Sequence, residues 1–182
     1  MNIQTPYLHK KIKQGKLPTD ILEEPSTFST NASPDLADPL FFWQLYSVTG
    51  EKSLRDVITR FYKRVFNDSE AQWFSSVFVE TGTLDYHIEN QLKFWIDLTG
   101  GPITYKGGEK KLNIKHRLVR EIMTKEGADR WLYHMDATLS ETKFSGDPRI
   151  LPCLIDFVNY FMDKYDLEFD FNFQNLQPVS KL

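Results

Sequence analysis

The strongest constraint on this chain is periodicity: apolar residues recur at three- and four-residue spacing, and period-two alternation is nearly absent. Leu54, Val57, Ile58, Phe61, Val65 and Phe66 share one stripe, which predicts an amphipathic helix over about residues 51–66. Leu84, Ile88, Leu92, Trp95 and Leu98 predict another over about 84–98, stopped by Thr99-Gly100-Gly101-Pro102. A third is predicted over about 126–140 with Trp131, Leu132, Met135 and Leu139 inward. The fourth, over about 148–165, takes Pro148 in its first turn and presents Leu151, Leu154, Ile155, Val158, Phe161, Met162 and Tyr165. Ile103 to Lys111, with Gly107-Gly108 and several lysines, reads as a loop, followed by one or two turns around Ile114 to Val119. Phe169, Phe171 and Phe173 alternate and are expected to clip an extended tail onto the body. The expectation is an all-α domain over 40–166, with an arm at 1–39 and a tail at 167–182.

The arm is read as extended or partly disordered, because Pro6, Pro18, Pro25, Pro34 and Pro39 forbid a long helix around its basic run Lys10, Lys11, Lys13 and Lys16. A length of 182 residues suits one domain with its own core, and 14% aromatics suggest a core built around something flat and large. Acidic and basic residues are well mixed at a net charge of −3, so neither nucleic acid nor an anionic membrane is an expected partner. The single Cys153 excludes an intramolecular disulfide and a thiolate metal cluster. No window reaches the roughly eighteen apolar residues of a membrane span, and the N-terminus lacks a signal core, so a soluble, cytoplasmic protein is expected. In a eukaryote, Ser180-Lys181-Leu182 would instead be a peroxisomal address. No repeat, phosphate-binding loop, dinucleotide fingerprint or nucleophile elbow is present.

Polar residues on the apolar stripes need partners if they are buried. His87 and Gln91 lie four apart on the second helix, beside Ile88 and Trp95. Tyr62 lies at the stripe edge of the first helix and Trp131 on the third. Each is satisfied either by a neighbouring backbone group or by something bound; together they place four hydrogen-bond donors inside an apolar bundle, as in a ligand pocket. His116 follows the lysine-rich loop, and pattern alone leaves it a surface or capping residue. No second histidine stands three or four residues away, which disfavours a zinc site. His9 sits in the arm and His134 among packing residues; Asp85, Glu89 and Asp97 read as solvated helix-face charges, and no carboxylate pair stands out for acid–base work.

Arg60-Phe61-Tyr62, the run Glu70-Ala71-Gln72-Trp73-Phe74-Ser75-Ser76, Gly100-Gly101-Pro102 with Tyr105, Lys115-His116, and Arg130-Trp131-Leu132-Tyr133-His134-Met135 occur in an order and spacing that resemble the group II truncated, two-over-two haemoglobins of the plant type. The resemblance runs from about Phe42 to Tyr165. It implies a two-over-two helical sandwich around haem b, with His116 as the protein ligand to the iron and Phe74 packed on the porphyrin. Tyr62, His87, Gln91 and Trp131 then form the distal wall, and Phe61, Phe94, Trp95, Tyr105 and Lys115 join the cofactor-binding residues. His87 stands where plant relatives often carry a small residue, which makes it a candidate gate or second iron ligand. The implied ligands are oxygen, nitric oxide, carbon monoxide or peroxide. The implied chemistry is reversible binding with nitric oxide detoxification or peroxide turnover, which requires an external reductase or other electron donor because the chain has no flavin segment. The alternative is gas sensing without turnover, signalled through the terminal extensions.

Overall fold

The computed structural model describes residues 29–105, 108–144, 146–170 and 176. A 3-10 turn (Phe42–Gln44) leads into six helices: α1 (Leu45–Phe66), α2 (Gln72–Thr81), α3 (Leu84–Leu98), α4 (Gly108–Leu118), α5 (Lys125–Glu141) and α6 (Ile150–Phe169). No strand occurs among the described residues, and none of the helices there is long and apolar enough to cross a membrane. The fold is all-α, as the periodicity predicts.

The predicted stripe of α1 is its buried face: Leu54, Val57, Ile58, Phe61 and Val65 are essentially inaccessible to water. Each such side chain contributes about 1.5–3 kcal/mol of burial free energy. α1 packs on α2, α3, α5 and α6, so it organises the core. α6 closes that core through Phe157 against Trp95 (ring centroids 5.1 Å apart) and Phe161 against Phe94 (5.4 Å). α3 has the predicted limits. Thr83 caps it by accepting from the Tyr86 N–H, and Gly100 at φ +93° ends it while Gly101 N–H donates to Ile96 O. A Cβ on Gly100 would lie 1.9 Å from the Trp43 carbonyl oxygen, so only glycine fits.

Several boundaries differ from the sequence expectation. α1 starts at Leu45 because Gly50, at φ 61° and ψ 178°, joins two helical limbs; the periodicity registers only the second. α2 has no counterpart among the predicted helices. Ahead of it, Asp68 Oδ1 accepts from the N–H groups of Glu70 and Ala71 and so holds the turn that leads to the N-cap Ala71, which has no side-chain cap of its own. The loop expected up to Lys111 is helical from Gly108, since lysines favour helix and the cations Lys115 and Arg117 suit the negative end of α4. α6 starts at Ile150 with Pro148 ahead of the cap. Pro152 occupies the first turn, where no N–H is needed. α6 also runs on to Phe169, so that residue is helical and not part of an extended tail.

Two clamps hold the flanking segments to α6. Arg149 donates to the backbone carbonyls of Ser33, Asp35 and Asp38 while paired with Asp147, and Asn159 exchanges two hydrogen bonds with the backbone of Leu176. The arm before residue 29, Phe171, Phe173 and Ser180-Lys181-Leu182 lie outside the described residues.

Candidate functional site

Among all six helices lie two adjoining cavities of about 140 Å³ and about 300 Å³. Tyr62, Phe78, Gln91, Phe94, His116, Val119 and Ile122 border both, so they form one branched space. The smaller branch is walled by Phe74, Trp95, Met123, Trp131, Phe157, Phe161, Met162 and Tyr165, and the larger by Val77, Tyr86, His87, Asn90, Tyr105, Lys115 and Leu118.

His116 sits in the last turn of α4 with its ring edge-on to Tyr165 at 4.4 Å. Its Nδ1 is buried with no hydrogen-bond partner. Desolvation pushes its pKa down to about 4, with Glu168 pulling upward and Lys115 adding to the fall. The ring is therefore neutral at pH 7 and keeps a nitrogen lone pair. Lys115 reaches across to α3, where its Nζ donates to Tyr86 Oη (3.0 Å) and Asn90 Oδ1 (3.4 Å).

Tyr62 and Gln91 meet at the same cavity, Tyr62 Oη donating to Gln91 Oε1 at 3.3 Å. Burial pushes the Tyr62 phenol up, so it stays a donor. His87 borders only the larger branch. Its Nε2 donates to the Phe78 carbonyl at 2.9 Å, and its ring is caged by Tyr62, Phe66, Phe78 and Tyr86 at 5.4–5.7 Å. Trp131 borders the smaller branch and leans on Phe61 at 4.8 Å. Tyr105, whose N–H donates to Asp97 Oδ2, packs on Phe94 at 5.3 Å. Of the residues singled out from the sequence, ten border the space; Phe61 does not and lies behind Tyr62 and Trp131.

Sequence reasoning missed two things. Phe78, Val119, Ile122 and Met123 line the cavity but belong to α2 and to the α4–α5 connection, where no stripe announced them. It also missed the anchor of Phe74. The Asp68 carboxylate, 2% exposed, accepts from Arg130 Nε (2.7 Å), Arg130 Nη2 (2.6 Å) and His134 Nε2 (2.7 Å). The His134 ring lies nearly parallel to Phe74 at 6.2 Å. The Arg130 guanidinium beside Asp68 holds that carboxyl well below the usual range. His134, read as a packing residue, thus joins α5 to the start of α2.

An apolar, aromatic-walled space with one unpartnered neutral imidazole on one side and phenol and amide groups on the other fits a flat macrocycle carrying a metal. Among the described residues no cluster of three or more histidines, cysteines and carboxylates offers a metal site of another kind.

Residues 44–159 match the family model for the bacterial-like globins. The chain is 34% identical over 100 residues to two-on-two hemoglobin-3 of Arabidopsis thaliana, covering 54% of this chain and 55% of that protein. It is also 34% identical over 93 residues to group 2 truncated hemoglobin 3-1 of Lotus japonicus, covering 50% and 53%. The chain thus spans about half the length of the curated relatives it matches. The globin family carries haem and binds small gas ligands, and the matched span covers α1 through α5 and the first half of α6. The chain belongs to the bacterial-like globins, of the truncated, two-on-two kind.

Proposed function

We propose that this protein holds haem b through His116 and binds oxygen or a similar diatomic ligand on the side facing Tyr62, Gln91 and Trp131, in support of redox turnover such as nitric oxide detoxification or peroxide reduction. The observation that carries the reading is the buried, neutral, unpartnered His116 imidazole across one cavity from the Tyr62–Gln91 pair. When bound, haem would supply an iron, held by His116, that takes up a diatomic gas and changes oxidation state.

The protein's own groups do the rest. His116 donates its lone pair; Phe74, Phe94, Phe161 and Met162 exclude water from the walls. Lys115 and Tyr86, at the larger branch, offer a cation and a phenol to acidic groups on the macrocycle's edge. Tyr62, Gln91 and Trp131 present donors that steady negative charge on a reduced oxygen ligand, each by about 1 kcal/mol. His87 serves as a wall and gate: coordinating a metal through Nε2 would require giving up its bond to Phe78 O. Mixing the oxygen-loaded protein with nitric oxide in stopped flow tests the turnover. Nitrate formation well above a free-haem control is expected, and a rate no better than that control refutes it.

One observation favours a sensing role alongside. α6 lines the cavity through Phe157, Val158, Phe161, Met162 and Tyr165, and the same helix carries both clamps on the flanking segments, Arg149 and Asn159. Limited proteolysis with and without carbon monoxide reads this directly, since unchanged cleavage leaves no signal to transmit.

A further inference from the structure

The exposed side of α4 is unusual for a helix that walls a cavity. Lys111, Ile114, Lys115 and Leu118 stand at i, i+3, i+4 and i+7, one continuous stripe. Such a stripe normally faces a core, yet Ile114 is 52% and Leu118 79% exposed, and Lys111 lies at the surface over the Tyr105 ring. Charge is just as uneven. From 110 to 120 the chain carries Lys110, Lys111, Lys115, Arg117 and Arg120 and no acidic residue, within a protein of net charge −3. Elsewhere Arg55, Arg60, Arg64, Arg130 and Arg149 are each neutralised by a carboxylate. On this face Arg117 pairs with Glu168 and Lys115 serves the macrocycle's edge in the reading above, whereas Lys111 and Arg120 have no carboxylate partner among the described residues.

We infer that this face of α4 is the docking surface for an acidic electron-donor protein. The inference rests on the redox reading above and names the partner it lacks. Charge complementarity decides the occupant, because an uncompensated basic patch on an acidic protein selects a partner with an acidic rim and speeds its approach. Ile114 and Leu118 supply the small apolar centre that brief electron-transfer encounters use, which bury less than about 1,200 Å² in total. Position gives the reason for the site: the stripe includes Lys115, the residue next to His116, and Lys115 and Leu118 border the cavity. In each encounter the reduced donor would lose one electron and the haem iron that His116 is proposed to hold would gain it, with no bond made or broken.

The test uses the full, haem-loaded chain with a reduced acidic [2Fe–2S] ferredoxin as the probe. Both the second-order reduction rate and the affinity of the complex, by calorimetry, are measured from low to high ionic strength. Wild type should bind and be reduced fastest at low salt, and Lys111→Glu/Arg120→Glu should lose tenfold or more in both quantities. Ile114→Ser should weaken affinity at all salt concentrations. Arg60→Glu/Lys63→Glu, on the groove beside α5, should match wild type. Melting temperature and reduction by ascorbate confirm that the variants are folded and loaded. A salt-independent rate, an equal loss in the Arg60/Lys63 variant, or tight binding to anionic lipid vesicles without binding to ferredoxin would overturn the proposal. Nitric oxide consumption with excess ascorbate separates the two claims: its absence in every protein refutes the turnover, while the affinity series judges the docking face.

Discussion

Tyr62 Oη and Gln91 Oε1 share a 3.3 Å hydrogen bond in the wall of the cavity, joining α1 to α3 beside the space that His116 also lines. The phenol is the donor, so the Gln91 amide is turned with its N–H groups away from Tyr62. Tyr62→Phe removes this bond and the one phenol proton, which would have to turn from Gln91 to reach bound oxygen. Oxygen dissociation, followed by carbon monoxide displacement, should quicken about fivefold to tenfold, the equivalent of about 1 kcal/mol. An unchanged rate would show that Tyr62 does not face the ligand.

Asp68 ties α5 to the start of α2 through Arg130 and His134. Asp68→Ala leaves the buried His134 without its carboxylate and Arg130 with Glu70 alone, and should cost about 3 kcal/mol in urea unfolding. Because Phe74 packs on His134, the haem absorption band should shift in the same variant. A loss under about 0.5 kcal/mol, the size of a surface change, would contradict this role.

Acid should weaken the fold in two stages. Burial lowers the pKa of His87 from 6.5, and Arg130 above all lowers that of Asp68 from 3.8. Both folded values lie below the unfolded ones, so each contribution is complete above the unfolded value and is lost as pH falls. In the haem-free chain burial also lowers the pKa of His116, to about 4, so stability should drop below about pH 6.5 with a slope of up to about 2.7 kcal/mol per pH unit from the two histidines, and again below about pH 4 as Asp68 is protonated. His87→Gln should make the first stage shallower and His87→Gln/His116→Gln should remove it, while Asp68→Asn removes the second, read by chemical denaturation across pH.

The long amphipathic elements were legible because burial writes itself into a 3.6-residue period: α3 has its predicted ends, and α5 and α6 differ by a few residues. α2 and α4 were not, since each depends on one local interaction. For α2 it is the turn held by Asp68 just ahead of its start; for α4 it is lysines whose helical preference outweighs Gly108 at its first position. In the site, His87 and Gln91 were visible as polar residues on an apolar stripe. His116 was not, because a single histidine carries no period; its meaning comes from burial without a partner. Phe61, a cofactor-binding residue by resemblance, does not border the cavity and packs on Tyr62 and Trp131, which do.

Gly127 opens α5 against the preceding turn, where a Cβ would lie 1.8 Å from the Ile122 carbonyl oxygen. Gly127→Ala must push that backbone aside, and Ile122, Met123 and Gly127 all border the cavity. A loss of about 1–3 kcal/mol is expected in thermal unfolding, with weaker haem retention when apomyoglobin is offered as the acceptor. Normal stability and retention would place the constraint elsewhere.

The most direct measurement is haem titration of wild type and His116→Ala, followed by absorption in the Soret region, with and without free imidazole. Wild type should take up haem at one equivalent with a strong, sharp band. His116→Ala should give a shifted, weaker band that imidazole restores, because only the axial nitrogen is missing. A wild-type chain that binds no haem, or a His116→Ala spectrum identical to wild type, would contradict the assignment of His116 as the residue that holds the iron.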